Sequence, residues 1–513
     1  MRVTETVSEK ILRWLDARLL LLLFLLMLAR LGFLWINGMG LTGDESYYWD
    51  WSRRPDWCYF SKPPMVAWLI GIFTWLFGDY TPTARLPAVV LGTIFLWFFH
   101  ATAQAFYGRR VAALALILIL ATPNNVLSNL IMTIDPPLYC FWMISLYYLQ
   151  RALFKQDTRA WFWGGCAAAA ALLSKQAALV LPLMLLVFIL LDRKRYGWLR
   201  REFWYYVLPI IVAAVPILVW NYQHGWVMFD HSKDHFTTQV STSVLVAVKH
   251  ALELWFYQLL LMSPLIFILS AVLSVQSVLK FKQLPAEQQF LVLMGPVLLL
   301  GVLLLSFLQK VQGNWPMPFY FTGLILLAGV WAEGRWRGWF KYGLSLGYLL
   351  VAMTYLLPVL LNIFDVQNTK LDPTRRFKHW QEWAENVHIE RQIALPTLEH
   401  TFVVTLGHRN MASQLAFYLP DHPQVFRYET KGEVTTQYEL WPGPVEFVGG
   451  NAVIVSEAPG HIPENLAKAF QKFSFLVEMP NPMRPNAPYY LYLGENLRHW
   501  PTLAEQVFVE EQL

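Results

Sequence analysis

The sequence predicts a polytopic α-helical membrane protein that carries a small α/β domain at its C-terminal end. Three observations predict it. The chain is 56% hydrophobic and 15% charged, with a mean hydropathy of +0.38, whereas soluble domains carry about 25% charged residues. Its apolar residues fall into runs of roughly 18 to 25, the length that crosses a bilayer as a helix. From about Asp365 onward such runs cease, and strand-like and amphipathic stretches replace them. The domains are therefore 1–364, transmembrane, and 365–513, α/β. A net charge of +5 in such a chain marks the cytoplasmic side of a membrane rather than a nucleic-acid partner. Three cysteines, Cys58, Cys140 and Cys166, provide no even disulfide framework.

Taken in order, the apolar runs place spans near 19–36, 86–106, 111–128, 136–153, 160–173, 176–191, 203–220, 255–279, 290–307, 317–332 and 342–363, eleven in all. The first follows basic residues as a signal peptide would. It is long, and Arg30-Leu31-Gly32 is no small-residue cleavage site, so it reads as an uncleaved helix. The run from Pro64 to Gly78 has about 15 residues, roughly 22 Å as a helix, short of the ~30 Å hydrocarbon core. It is expected to lie along the membrane surface. The run from Ala160 to Leu191 is too long for one span. Ser174-Lys175-Gln176 interrupts it, so a tight hairpin is expected. In the tail, "TFVVTLGHRNMASQLAFYLP" reads as strand, turn and amphipathic helix, and "NAVIVSEAPG" and "APYYLYLGE" as strands.

Positive charge sets the orientation. With these assignments one side of the membrane collects 19 Lys and Arg residues, among them Arg2, Lys10, Arg13 and Arg193 to Arg195, and the other side's longer loops hold 8. The N-terminus is thus expected in the cytoplasm. The loop after the first span and the C-terminal domain are expected on the outer, periplasmic face, in a multi-pass protein of the bacterial inner membrane.

Chemistry-bearing residues gather on that outer face. Asp44 and Glu45 directly follow the first span, with Tyr47, Tyr48, Trp49 and Trp51 behind them. An interfacial aromatic belt accounts for the aromatics but not for two acids beside lipid head groups; a carboxylate there is a candidate general base. Lys62 precedes Pro63-Pro64 at the start of the short apolar helix, where anions are favoured. A snorkelling lysine is the plainer reading. Asp135 in "TIDPPL" reads as a helix N-cap before prolines, or as a catalytic acid. Lys175 lies at the tip of an apolar hairpin, where an ionisable group is costly and functional by default. His231 and His235, four apart, are a weak metal-ligand pair beside Asp230 and Asp234. Asn314 and Trp315 in "QKVQGNWPMP" offer an amide and an aromatic face suited to a sugar.

The blocks "GDESYYWDWS", "YFSKPPMVAWL" and "ARLPAVVLG" together resemble the start of bacterial family 39 glycosyltransferases and the related lipid A aminoarabinose transferases. These are membrane enzymes of the GT-C fold, kin to protein O-mannosyltransferases. "TIDPPL", "LLSKQAALVL", "NYQHGW", "GNWPMP", "ASQLAFYLP" and "QYELW" follow in the family's order, so the resemblance spans nearly the whole chain. It implies a GT-C fold, a sugar donor on a polyprenyl phosphate, and an outer-leaflet acceptor, lipid A or lipopolysaccharide core. It also implies Asp44 as base and Lys62 and Lys175 as phosphate contacts; beside them Glu45 is expected to orient Asp44 or the acceptor, and Asp135 to be a second polar partner in catalysis. Tyr47, Tyr48, Trp49, His224, Asn314 and Trp315 would bind substrate. Many relatives have an acid before the basic residue of the Pro-Pro motif, where this chain has Ser61. No cofactor is required, and a divalent metal has weak support. Besides its substrates, the protein's partners are membrane lipids.

A lipid phosphate leaves as an anion that lysines stabilise, and an acceptor hydroxyl or amine loses a proton to a carboxylate. A protein O-mannosyltransferase is the rival enzyme; a lipid-sugar transporter or flippase is the rival from another class. A transporter would place ionisable groups near the midplane; here His100 and Arg30 are the rare ones within spans.

Overall fold

A computed structural model describes residues 14, 17–192, 196, 200–237, 240–364, 366, 369, 372–457, 460, 462–481 and 487–506. Asp365, at the expected domain boundary, lies outside them, as do Arg2, Lys10, Arg13 and Arg193 to Arg195, which entered the charge count, and the side chain of His235.

Helices occupy every stretch expected to be a span. Six described helices are long and apolar enough to cross a membrane: Leu19–Ile36, Thr81–Tyr107, Arg201–Gln223, Val244–Met262, Ala286–Leu308 and Arg337–Leu361. Arg109–Leu120 and Pro123–Leu130 add a seventh if counted as one span, and they are bent by 73°. The bend falls where Pro123 opens the second helix, since proline cannot continue the first one's hydrogen bonds. The apolar run 255–279 is two helices, not one, Val244–Met262 and Pro264–Leu279, broken at Ser263 with φ of 68°. Asp135–Phe154 packs against both Thr81–Tyr107 and Thr158–Ser174.

The 160–191 stretch breaks at Lys175, which adopts extended geometry between Thr158–Ser174 and a Gln176–Leu179 turn of 3₁₀ helix. Beyond it the chain does not fold back along its first arm as a tight hairpin would. Val180–Leu191 leaves to pack beside Ala286–Met294, while Arg200–Gln223 takes the place against Thr158–Ser174.

The apolar run after Lys62 forms the short helix Met65–Phe77. Its buried edge, Val66, Ala67, Ile70 and Thr74, follows helical spacing and faces Gly43–Ser52 and Thr81–Tyr107. Trp75, Leu76 and Phe77 at its far end are exposed.

Arg30 is buried without a carboxylate partner among the described residues. Its guanidinium donates to Asn129 Oδ1 at 2.8 Å, Asn125 Oδ1 at 2.7 Å and the Tyr355 hydroxyl at 3.3 Å. It ties the first helix to Pro123–Leu130 and Arg337–Ile363.

The C-terminal region holds a five-stranded mixed sheet of order β2-β1-β3-β5-β4, with β1 Thr401–Leu406, β2 Val425–Arg427, β3 Asn451–Ser456, β4 Phe470–Met479 and β5 Tyr489–Leu497. β1 pairs in parallel with β2 and β3; β5 is antiparallel to β3 and β4. Alternation along β1 sends Phe402, Val404 and Leu406 into a core of the sheet's own. Val403, with Val453 and Leu491, faces the other way, into an apolar cluster with Tyr47, Trp49, Trp51, Val66 and Ala84. That cluster joins the sheet region to the helices that bear Asp44 and Lys62.

Candidate active site

Residues Gly43–Ser52 form a helix, although nothing in their hydropathy is amphipathic. A capping box starts it: Thr42 Oγ1 accepts from Glu45 N, and Glu45 Oε2 accepts from Thr42 N. Glu45 does more. Arg85 Nε and Nη2 donate to its two oxygens at 2.7 Å each, and Met132 N donates to Oε1 at 2.9 Å. Arg85 also donates to the carbonyls of Met39 and Gly40. Glu45 is therefore a buried joint between the turn at Asp44, the Thr81–Tyr107 helix and the segment leading to Asp135. It was expected to orient Asp44 or the acceptor; its hydrogen-bond partners are Thr42, Arg85 and Met132.

Asp44 is exposed at the start of the same helix, and its Oδ1 accepts from Arg409 Nη2 at 2.8 Å. Asp135 opens its helix, yet Ile134 is the cap residue and no side chain caps it. The Asp135 carboxylate instead receives Lys175 Nζ at 2.9 Å and Asn314 Nδ2 at 2.6 Å. The N-cap reading of Asp135 is thus replaced by one that binds two distant segments together. Lys62 is half-buried, and the charges acting on it are those of Lys175, Asp135, Asp44 and Arg409. Burial first, and the Lys175 charge second, push its pKa down to about 8.

The structure thus brings Asp44, Lys62, Asp135, Lys175 and Asn314 together from five separate segments, and adds Arg409. Tyr48 belongs to the same set: it is buried, and Asp44, Arg409 and Asp135 all act on it electrostatically. Tyr47 is buried beneath Arg409, with its hydroxyl accepting from Gln437 N at 2.6 Å. Burial pushes its pKa up to about 12. Trp49 faces away; its indole N–H donates to Asp79 at 2.6 Å and its ring packs edge-on against Phe417.

His224 stacks on Trp220, whose indole donates to Asp56 at 2.8 Å, so it lines the neighbouring loop. Trp315 follows Asn314 and packs against the transmembrane core. The His231 ring packs on Phe60 at 5.0 Å between centroids. Among the described residues no group of three or more His, Cys, Asp or Glu is placed to hold a metal ion. Asp44 and Asp135 are each already paired with a cation, so the cluster's unspent charge is positive and suits an anion.

Arg409 escaped the sequence reading. A cation as first residue of a helix opposes the helix dipole, and "GHRN" before an amphipathic run carries that signal.

The apolar helices and the small C-terminal sheet, with the cation–carboxylate cluster at their junction, form a fold of the GT-C class of membrane glycosyltransferases. Residues 61–220 match the dolichyl-phosphate-mannose-protein mannosyltransferase family. It is 26% identical over 383 residues to the lipid A galacturonosyltransferase RgtD of Rhizobium johnstonii, covering 74% of this chain and 77% of that one. Its fold is that of ArnT from Cupriavidus metallidurans. The crystal structure with undecaprenyl phosphate superposes with a TM-score of 0.62 at 16% identity, over 92% of this chain and 97% of that one. The apo structure gives 0.61, also at 16% identity, over 96% and 99%.

Proposed function

We propose that the protein transfers a sugar from a polyprenyl-phosphate donor to lipid A or lipopolysaccharide core at the outer leaflet of the bacterial inner membrane. The active site and residues 365–513 then face the periplasm. The carrying observation is the convergence of one exposed carboxylate, Asp44, with two lysines, Lys62 and Lys175. An acceptor nucleophile and a leaving phosphate need those two kinds of group side by side. The relatives' names and the ArnT fold support the lipid donor and lipid acceptor.

The reaction is a single displacement. The acceptor oxygen or nitrogen attacks the anomeric carbon on the face opposite the phosphate, and Asp44 takes its proton. The bond from the anomeric carbon to the phosphate oxygen breaks, its electron pair stays on the phosphate, and the sugar inverts. Lys62 and Lys175 stabilise the charge that grows there. Asp135 and Asn314 hold Lys175 in place, so the second ammonium is preorganised rather than free to snorkel. Glu45 acts at a distance, by fixing the turn that presents Asp44.

The test is purified protein with undecaprenyl-phosphate-linked sugars and lipid A. Release of free undecaprenyl phosphate with a matching mass gain on lipid A supports the reading. Movement of the intact donor between leaflets without cleavage would contradict it in favour of a flippase, and a mass gain on protein alone would favour an O-mannosyltransferase.

A further inference from the structure

Arg409 is held in its unfavourable place at the head of the Arg409–Tyr418 helix from two sides. Its guanidinium lies 4.4 Å from the ring centroid of buried Tyr47, and it donates to Asp44 at 2.8 Å. The helix that carries it is fastened to the turn around Asp44. Ser413 Oγ lies 2.8 Å from Ser46 Oγ, and Gln414 Nε2 donates to the Leu41 carbonyl at 3.0 Å. Gly43 has no Cβ to collide with the Asn410 carboxamide. These ties fall on both sides of Asp44 in the sequence.

The ion pair itself adds little to stability. The Asp44 side chain is 53% exposed and that of Arg409 28%, and pairs so wet contribute about 0–1 kcal/mol. The buried ties hold the regions together; the Arg409 contact sets a direction. It occupies Asp44 Oδ1, while Oδ2 has no hydrogen-bond partner among the described residues.

We infer that Arg409 is a positioning residue for Asp44, so that the C-terminal region completes the active site and leaves Oδ2 to receive the acceptor's proton. This rests on the reading of Asp44 as general base.

The experiment uses full-length protein with lipid A as acceptor. The donor is undecaprenyl phosphate carrying galacturonic acid or aminoarabinose, whichever the wild type cleaves. Wild type, Arg409→Ala, Asp44→Asn and the double variant are compared. Arg409→Ala should lower kcat roughly 10- to 100-fold, the scale of a misplaced catalytic group, with the donor KM unchanged within about twofold. In the Asp44→Asn background it should cost nothing further, because it acts through Asp44. Added guanidinium ion should restore part of the Arg409→Ala rate and none of the Asp44→Asn rate. If Arg409→Ala does not fold, Arg409→Gln keeps a planar group over Tyr47 and replaces it. An equal loss in both backgrounds, or a variant within about twofold of wild type, overturns the inference. Near-normal turnover by Asp44→Asn would instead remove the base reading on which it rests, and that outcome is read from a different variant.

Discussion

Glu45→Gln separates a structural acid from a catalytic one. The substitution keeps the side chain's shape and leaves the Arg85 guanidinium buried without its carboxylate. Both groups are buried, and four further donors and acceptors depend on them: Thr42 N, Met132 N and the Met39 and Gly40 carbonyls. Breaking one partner of a buried pair costs about 3–5 kcal/mol, because the remaining charge is uncompensated. At about 2 °C per kcal/mol, the low end for sizeable domains, that is a fall of about 6–10 °C in unfolding midpoint. The assay is tryptophan fluorescence of the detergent-purified protein on heating, at one scan rate because membrane proteins unfold irreversibly. Glu45→Gln combined with Arg85→Met removes the buried unpaired charge and should regain part of the loss, while the Met39 and Gly40 carbonyls stay without their donor. A Glu45→Gln protein with unchanged thermal stability and abolished turnover would refute the structural assignment and return Glu45 to the chemistry.

Lys62 gives a pH dependence. Its pKa, pushed down to about 8, makes it charged below that pH and neutral above it. A donor phosphate selects the charged form, so donor affinity should be full well below pH 8 and fall as pH rises through it; the unliganded fold gains stability over the same rise. Lys175→Met should move the fall to higher pH, and a flat affinity profile would contradict the placement of Lys62 at the phosphate. Gly43→Ala should push Arg409–Tyr418 off the Asp44 turn and lower turnover, and Asn410→Ala, which removes the colliding carboxamide, should rescue it; loss without rescue would mean that the fault lies elsewhere. A reporter active only in the periplasm, fused after Leu513, should be on; a cytoplasmic reporter active there instead would reverse the orientation.

What was legible in the sequence follows from how each feature is encoded. Membrane helices are written in hydropathy, so their positions were readable, but breaks inside apolar stretches were not. Ser263-Pro264 splits 255–279 with leucines on both sides, and the eye runs through it. Gly43–Ser52 has no amphipathic stripe because it is buried on every side from Glu45 to Trp51, between the Met65–Phe77 and Arg409–Tyr418 helices. Its one local signal was Thr42 three residues before Glu45. Asp135 and Lys175 stood out because ionisable residues beside hydrocarbon need partners, but which partners was a matter of tertiary packing. The strands β1, β3 and β5 showed in their β-branched and aromatic runs. β4, with polar and apolar residues loosely mixed, and the three-residue β2 did not. Arg409 lies 365 positions from Asp44, a pairing no local pattern records.

The central claim is that Asp44 is the base of an inverting transfer, and turnover by Asp44→Asn tests it most directly. Asparagine keeps the size and hydrogen bonding of the side chain and removes the basic oxygen. Purified variant and wild type would be given the same donor and lipid acceptor, with free polyprenyl phosphate measured over time and the anomeric configuration of the product read by NMR. The account predicts a rate lower by about 10²–10⁴-fold, donor binding preserved because Lys62 and Lys175 are intact, and an inverted product from the wild type. Near-normal release by Asp44→Asn, or a product that retains the donor's configuration, would contradict it.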